Sequence, residues 1–122
     1  MSGEVAYLAG PMTGHDDYNY PAFFEAQIML ENMGFIVQNP ASNYGQNQNL
    51  DHTRYLRMAI GQVMCCDCIV LLPGWSKSKG AVAETAVAQM LGLTIWEVRY
   101  SPDSLKLRRI NPVIKIKEVT YA

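Results

Sequence analysis

"DCIVLL", residues 67–72, is the clearest buried strand in this sequence, and it decides the fold. Its continuous apolar character is typical of a strand in the middle of a parallel sheet, covered on both faces. Residues 80–91, "GAVAETAVAQML", follow with helical spacing, and "LTIWEV" at 93–98 supplies the next strand. A strand, a helix and a strand in this order predict a parallel pair joined by a crossover helix.

The segments before this unit show the same alternation. Residues 4–9, "EVAYLA", predict a buried first strand that ends at Gly10 and Pro11. A helix is then predicted over residues 20–33 with Asn19 as its cap, a second strand over 35–38, and, after a polar Asn- and Gln-rich loop, another helix over 51–65.

Strands alternating with helices predict a doubly wound α/β fold, with a parallel five-stranded sheet in the order 2-1-3-4-5 and helices on both faces. The fifth strand is assigned to residues 112–121, "PVIKIKEVTY", whose alternating apolar and charged residues are typical of an edge strand. In this order, a crevice forms where the loops after strands 1 and 3 diverge. Those loops are "GPMTG" at 10–14 and "PGWSKSKG" at 73–80.

Length and composition narrow the functional classes. The 122 residues fit one domain over residues 1–122, long enough to bury its own core. A net charge of −1 with 17% charged residues argues against a nucleic-acid polymer as partner. No basic stretch followed by an apolar segment opens the chain, and no apolar run reaches the roughly 18 residues that span a bilayer. We therefore expect a cytoplasmic protein with no membrane partner.

Three cysteines, Cys65, Cys66 and Cys68, cluster at the start of the third strand. An odd number so close in sequence does not form a disulfide framework. The two histidines, His15 and His52, fall in separate polar stretches, so a zinc-type ligand set is not indicated. We expect the cysteines to act as small buried hydrophobic residues, and we expect no metal or other cofactor.

The loop before helix 80–91 has a composition suited to binding an anion. It carries Ser76, Lys77, Ser78 and Lys79 ahead of a helix N-terminus, where backbone N–H groups and the helix dipole favour a phosphate. The same composition is also that of an ordinary solvated turn. Loop composition alone therefore leaves both interpretations open.

Glu84 is the one charged residue of helix 80–91. A carboxylate in so apolar a helix costs several kcal/mol unless it is partnered, which favours a tuned functional acid over one that only complements the helix dipole. An ionised carboxylate in a nucleotide-sized pocket suits attack on an anomeric carbon through a covalent glycosyl ester, with a second, protonated group assisting the departing base. Tyr7 directs its hydroxyl toward the crevice or packs in the core, and Trp75 stacks on a base or covers the core.

Three segments carry a resemblance to a known family: "YLAGPMTG" (7–14), "YNYPAFFEAQIMLENMGFIVQNPA" (18–41) and "CDCIVLLPGWSKSKGAVAETAVAQMLGL" (66–93). Together they resemble the nucleoside 2-deoxyribosyltransferase superfamily, and most closely its short phage and prophage members. The resemblance covers roughly residues 5–98. It implies a doubly wound fold, a homodimer or higher homo-oligomer, and hydrolysis or transfer at the N-glycosidic bond of small deoxynucleosides or their 5′-monophosphates.

The resemblance also implies roles for individual residues. The family's nucleophilic glutamate falls on Glu84, and the tyrosine that orients it falls on Tyr7. In the branch that hydrolyses 2′-deoxynucleoside 5′-phosphates, the serine and glycine that hold the phosphate fall on Ser78 and Gly80. The sugar and base pocket would be walled by Gly10, Pro11 and Met12, with Trp75 near the base.

One position departs from the family's pattern. Relatives carry an aspartate that handles the base in a segment like "YLRRDL", whereas residues 55–60 read "YLRMAI" and put Ala59 there. Asp67 is expected at the opposite end of the sheet. The remaining candidates are loop residues: Asp16, Asp17, Asp51 and His52.

The missing aspartate leaves more than one function open. The first is an enzyme acting on a substrate with a good leaving group, which the retained Glu84 favours. The second is a protein that sequesters a nucleotide or a nucleotide-derived signal without turnover, which Ala59 favours. A third is an accessory protein in which the crevice is vestigial.

Overall fold

The computed structural model describes residues 3–12, 14–44, 52–101, 104–112 and 114. None of the helices within these ranges has both the length and the apolar character needed to cross a membrane. The strands and helices, in chain order, are β1 (Val5–Ala9), α1 (Tyr20–Asn32), β2 (Ile36–Gln38), α2 (Ala41–Tyr44), α3 (His52–Met64), β3 (Cys68–Leu71), α4 (Lys79–Met90), β4 (Thr94–Ser101) and β5 (Ser104–Arg109), with short 3₁₀ turns at Asp16–Asn19 and Trp75–Lys77.

The five strands form one sheet in the order β2-β1-β3-β4-β5, which confirms the predicted order. β1 lies parallel between β2 and β3, so that Tyr7 is in register with Gln38 on one side and Ile69 on the other. β3 and β4 are also parallel and bring Leu71 beside Glu97. The register aligns the carboxyl ends of β1 and β3, which is where the crevice was predicted.

The fifth strand differs from the prediction in direction and in position. It comprises Ser104–Arg109 and runs antiparallel to β4, so the sheet is mostly rather than wholly parallel. The reason is the length of the connection: residues 102 and 103 alone separate the strands, whereas a parallel crossover needs about a dozen residues or more. The predicted segment 112–121 lies largely outside the described residues.

Helices cover both faces of the sheet, as predicted. Phe23 and Leu30 of α1 pack with Leu8 and Val70 in one buried cluster. On the other face, buried residues of α3 and α4 pack with the opposite side chains of the same strands in a second cluster, which we call the α3/α4 cluster: Tyr7, Ala9, Ala59, Val63, Cys66, Ile69, Leu71, Ala81, Ala88 and Ile95. Because β1 and β3 are covered on both sides, their sequences are apolar throughout.

The starts of α1 and α4 are held in different ways. Asn19 precedes α1 with Pro21 in the first turn, but its backbone is left-handed (φ 62°) and its side chain makes no capping bond. Its Nδ2 instead donates to the carbonyl of Pro11 at 3.0 Å. At α4, the Ser78 Oγ accepts from the N–H of Ala81 at 3.2 Å, which is a regular N-cap. The side chain of Asn19 therefore ties α1 to the loop after β1.

A short helix, α2, lies within the segment predicted as a polar loop. Its start is stabilised by Asn39, whose Oδ1 accepts from the N–H of Ala41 at 2.9 Å. Residues 45–50 of the same predicted loop lie outside the described residues. The proline at position 40 is compatible with this local turn, because its missing N–H is not needed there.

The cysteines are buried at two of their three positions. Cys66 and Cys68 are buried and Cys65 is exposed. Burial raises the pKa of Cys66 to about 11 and that of Cys68 to about 12, so both thiols stay protonated at neutral pH. Two of the three therefore act as small hydrophobic residues, as expected, and the third does not.

Candidate active site

The loops after β1 and β3 come together at the carboxyl edge of the sheet. A Cβ on Gly10 would lie 2.8 Å from the Cβ of Leu72, and one on Gly74 would lie 3.3 Å from Cγ of Pro11. Gly74 also has a φ of +86°, a backbone conformation that glycine adopts without strain. The two unusual loops are thus in van der Waals contact, as the sheet order predicted, and glycines allow the approach.

Below these loops, Tyr7 and Glu84 form a buried pair. The hydroxyl of Tyr7 donates to Oε2 of Glu84 at 2.5 Å. Tyr7 has no exposed surface, and Glu84 is 7% exposed. Tyr7 comes from the middle of β1, and Glu84 from the second turn of α4, beyond the first turn in which an acid complements the helix dipole. The structure therefore brings the two predicted catalytic residues together.

The surroundings of Glu84 change its acidity. Burial raises its pKa to about 8, and the hydrogen bond from Tyr7 lowers it in part. The flanking residues Ala81, Val82, Ala83 and Thr85 are themselves buried, so water does not solvate the charged form. The carboxyl is therefore largely protonated at pH 7, and its ionised form predominates only above about pH 8.

The predicted phosphate residues stand at the start of α4. Ser78 is the N-cap residue, and its Oγ accepts the Ala81 N–H while keeping its own hydrogen as a donor. Gly80 follows in the first turn and is half-buried, whereas Lys77 and Lys79 are exposed. The first N–H groups of a helix have no intrahelical partner, so this end of α4 has donors to offer an anion.

Trp75 turns toward β4. Its Nε1 donates to Oε2 of Glu97 at 3.2 Å, and the same carboxylate lies 3.1 Å from Nη2 of Arg99. The half-buried indole packs against the α3/α4 cluster. Its polar edge is therefore bound to the protein, and any contact with a base would be made by the ring face.

Glu97 is a residue of this region that was not predicted from the sequence. Its signal is the same as that of Glu84, a single acid in an otherwise apolar segment, "LTIWEV". It lies beside Leu71, two residues nearer the carboxyl edge than the row that contains Tyr7, and its carboxylate contacts Trp75 and Arg99. Glu97 thus anchors the loop after β3.

The residues predicted to wall the pocket do not all lie on the same side of the sheet. Pro11 is buried and Gly10 half-buried, both at the contact between the loops. Met12 packs instead against the cluster under α1, across the sheet from the pair. Gly10 has a structural reason to be glycine, which is the close approach of Leu72.

Of the acids considered as substitutes for the missing aspartate, the structure describes the side chains of Asp67 and Asp16. Ala59 is buried in the same cluster as Tyr7, so its position does face the site. Asp67 accepts from the N–H of Val5 at 2.8 Å, at the edge where β1 begins, which confirms that it lies at the opposite end. Asp16 is exposed, and Asp51 and the side chains of Asp17 and His52 lie outside the described part of the structure.

Two other features lie away from the pair or carry no ligand set. A cavity of about 500 Å³ is lined by Gln89, Leu93, Thr94, Arg109 and Asn111, at the end of the sheet where β4 begins. Within the described residues, no group of three or more histidine, cysteine or acidic side chains is arranged to hold a metal ion.

Comparisons with known proteins agree with this architecture. The family described as "Domain of unknown function (DUF4406)" matches residues 4–97, which include both Tyr7 and Glu84. A search of curated proteins gave no match. Among solved structures, a 2-desoxiribosyltransferase from Leishmania mexicana is similar, with a TM-score of 0.57 and 20% sequence identity over 86% of this chain and 78% of that one.

The structural similarity, at this identity, concerns the fold, whereas the family match covers most of the chain. DUF4406 is a family within the nucleoside 2-deoxyribosyltransferase superfamily, which is the resemblance found in the sequence. The chain belongs to the DUF4406 family of the nucleoside 2-deoxyribosyltransferase superfamily.

Proposed function

We propose that the protein cleaves the N-glycosidic bond of small 2′-deoxynucleosides or their 5′-monophosphates, with Glu84 as nucleophile. The observation that carries the proposal is the buried hydrogen bond from Tyr7 to Glu84 beneath the two loops. The hydrogen bond from one donor fixes the orientation of this carboxyl, and its apolar surroundings offer few other hydrogen-bond partners. The similar fold of a 2-desoxiribosyltransferase is consistent with this assignment.

The reaction proceeds in two steps. The Glu84 carboxylate attacks C1′ of the sugar, the bond from C1′ to the base nitrogen breaks, and the base leaves with that electron pair and takes up a proton. Water or a second base then attacks C1′, releases the Glu84 carboxylate and gives up a proton. Water yields hydrolysis and a second base yields transfer, and both outcomes use the same ester.

Tyr7 orients the nucleophile in this scheme. Its hydroxyl holds Oε2 of Glu84, which leaves Oε1 for the anomeric carbon. The positive charge that develops at C1′ in the transition state favours the ionised carboxylate and so opposes the effect of burial on its pKa. Glu84 is therefore more readily ionised when substrate is bound than in the free protein.

A 5′-monophosphate suits the position of Ser78 and Gly80. The start of α4 is six residues from the nucleophile, and a sugar bound with C1′ at Glu84 would direct its 5′ end along the helix toward that N-terminus. The Ser78 hydroxyl hydrogen, the first backbone N–H groups and the exposed Lys77 and Lys79 would neutralise the phosphate.

The test is release of free base from a mixture of deoxynucleosides and their monophosphates, followed by chromatography. We expect release by the wild type and none by Glu84→Ala. A matched control is Glu31→Gln, which changes an exposed acid on α1 and leaves the site intact. A 2′-fluorinated arabinosyl substrate should slow the second step, and mass spectrometry should then find the sugar attached to the peptide that contains Glu84. Tight binding with no release from any substrate contradicts the proposal.

A second candidate function is sequestration of a nucleotide without turnover. It is favoured by the raised pKa of Glu84, which keeps the free carboxyl neutral near an anion site, and by the apolar Ala59. This function predicts tight binding of a monophosphate that Glu84→Gln leaves unchanged. The enzyme hypothesis is distinguished from it by the loss of base release in the same variant.

We also propose a homo-oligomer, which the superfamily resemblance implies. Met64 and Met90 are among the most exposed large apolar side chains, at 63% and 78%, and both lie at the C-terminal ends of neighbouring helices. Association would cover this apolar surface. Light scattering coupled to size exclusion measures the mass directly, and a monomer at all concentrations contradicts this part of the proposal.

A further inference from the structure

A carboxylate on β4 holds the loop that follows β3. Glu97 is in register with Leu71, a member of the α3/α4 cluster, so its side chain lies on the face of the sheet that α4 covers. Its Oε2 accepts from the indole Nε1 of Trp75 at 3.2 Å, and its Oε1 lies 3.1 Å from Nη2 of Arg99. Each oxygen of the carboxylate therefore has its own partner.

The charge of Glu97 needs a reason, because an apolar side chain would serve packing alone. Its side chain is only 26% exposed, and a partly buried carboxylate is costly unless it is paired and hydrogen-bonded. The ion pair with Arg99 adds little stability, since that guanidinium is largely exposed. What the carboxylate adds is direction: its hydrogen bond fixes which edge of the Trp75 indole faces β4.

Trp75 passes this constraint to the start of α4. It opens the 3₁₀ turn Trp75–Lys77, and its carbonyl accepts from the N–H of Ser78 at 3.0 Å. Ser78 in turn caps α4, because its Oγ accepts from the N–H of Ala81. Two hydrogen bonds, joined by Trp75, thus connect the carboxylate of Glu97 to the residue that is proposed to bind the 5′-phosphate.

The same turn is supported on its other side by the loop after β1. Pro11 lies so close to Gly74 that a Cβ there would be 3.3 Å from Cγ of Pro11. This contact is apolar, and apolar contacts are not directional, whereas a hydrogen bond is. Without the carboxylate of Glu97, the turn would keep the support of Pro11 but lose the contact that fixes its orientation.

We propose that Glu97 is a positioning residue for the 5′-phosphate of the substrate. By holding Trp75, it keeps the Ser78 hydroxyl and the first N–H groups of α4 in the geometry that receives the phosphate. The inference rests on the proposed function. Glu97 acts through Trp75 and does not itself contact the substrate. Its negative charge is paired with Arg99, which reduces its repulsion of the phosphate.

The test measures a preference between two substrates. The phosphate preference is the ratio of kcat/KM for the 2′-deoxynucleoside 5′-monophosphate that the wild type cleaves fastest to kcat/KM for its parent nucleoside. Glu97→Ala removes the acceptor of the indole N–H and should lower this ratio by about 10 to 100-fold, because a displaced binding group costs about that much. A merely structural role would lower both values of kcat/KM by the same factor and leave the ratio unchanged.

Two further variants isolate the hydrogen bond between Glu97 and Trp75. Glu97→Gln keeps an oxygen that can accept from the indole and should retain most of the preference. Trp75→Phe removes the indole N–H, keeps an aromatic ring, and should lower the ratio as Glu97→Ala does. The double variant should lower it no further, because both substitutions remove the same bond. If Glu97→Ala is too unstable to assay, Trp75→Phe replaces it.

The matched control is Glu25→Ala, which removes an exposed acid from α1 on the opposite face of the sheet and should leave the ratio unchanged. A lower ratio in Glu97→Ala and Trp75→Phe is the supporting result. An unchanged ratio in both variants, or a wild type that does not prefer the monophosphate, overturns the role of Glu97 and leaves Glu84 as nucleophile untouched. A wild type that releases base from neither substrate overturns the proposed function and, with it, this inference.

Discussion

The phenol of Tyr7 donates a 2.5 Å hydrogen bond to Oε2 of Glu84, which joins β1 to α4 across 77 positions of sequence. Both groups are buried, so water does not solvate them, and each is stabilised by the hydrogen bond to the other. The bond stabilises the ionised carboxyl, and burial stabilises the protonated one, with burial the larger effect. This balance makes Glu84 the most informative residue to change.

Stability should depend on pH through Glu84. Its pKa is raised from 4.5 to about 8 in the folded protein, so between these values the native state holds a proton that the unfolded chain has released. The stability contribution of this group is complete below pH 4.5 and is lost as pH rises to about 8. Each pKa unit corresponds to about 1.4 kcal/mol, so the loss amounts to several kcal/mol.

Glu84→Gln tests this directly, because its amide does not titrate. The free energy of unfolding, measured in urea at about pH 5 and about pH 9, should fall in the wild type by several kcal/mol more than in the variant. Glu31→Gln serves as the control and should follow the wild type. Parallel curves for wild type and Glu84→Gln would show that the buried carboxyl ionises normally.

Catalysis should have the opposite pH dependence. Since the proposed nucleophile is the ionised carboxylate of Glu84, kcat/KM should rise with pH and level off above about pH 8. Tyr7→Phe removes the donor that favours ionisation, so the rise should move to higher pH and activity at pH 7 should fall by about 10 to 100-fold. Measured kcat/KM profiles check the shift. A uniform fall at all pH values would instead indicate that Tyr7 acts only through orientation or packing.

Ser78 caps α4 and is proposed to bind the 5′-phosphate, and two substitutions distinguish these roles. Ser78→Ala removes the cap of α4 and should destabilise the protein by about 1 kcal/mol. Ser78→Asp keeps a capping oxygen, so stability should be retained. The same substitution places a negative charge where the 5′-phosphate is proposed to bind. KM for monophosphates should rise while KM for the parent nucleosides stays unchanged. Equal effects on both substrate classes would argue against phosphate binding at this helix start.

Gly10 should tolerate no larger residue. The Cβ of alanine would lie 2.8 Å from Cβ of Leu72, which neither backbone can relieve cheaply, so Gly10→Ala should cost about 1–3 kcal/mol. Gly61→Ala is the matched control: nothing lies within 4 Å of the added Cβ. In the interior of α3 it should stabilise the protein by about 0.5–1 kcal/mol. Urea midpoints measure both, and similar values for the two variants would contradict the packing argument.

Much of the fold was predictable from local patterns. The continuous apolar runs at 4–9 and 67–72 identified the two central strands, since only strands buried on both faces have no polar alternation. The direction of β5 was missed because its amphipathic pattern, "SLKLRR", is weaker than that of the later segment. The direction of β5 is decided by the connection from β4, because two residues are too few for a parallel crossover.

Part of the candidate site was also predictable. Glu84 stood out as a lone acid in an apolar helix, whereas the residues left Tyr7 open between the crevice and the core and its role as partner of the glutamate came from the family resemblance. Glu97 was missed. Its part in the site depends on the hydrogen bond from Trp75, which forms only when the loop after β3 packs against β4.

The sequence by itself determined which segments are buried and, through the order of its strands and helices, that the loops after β1 and β3 meet. Periodicity and connection length are local properties, and they are sufficient for the order of the strands in the sheet. The tertiary structure decided which side chains touch: Tyr7 with Glu84, and Trp75 with Glu97 rather than with an open pocket. Such contacts depend on how α4 packs across the sheet, and packing is set by all the side chains of both clusters at once.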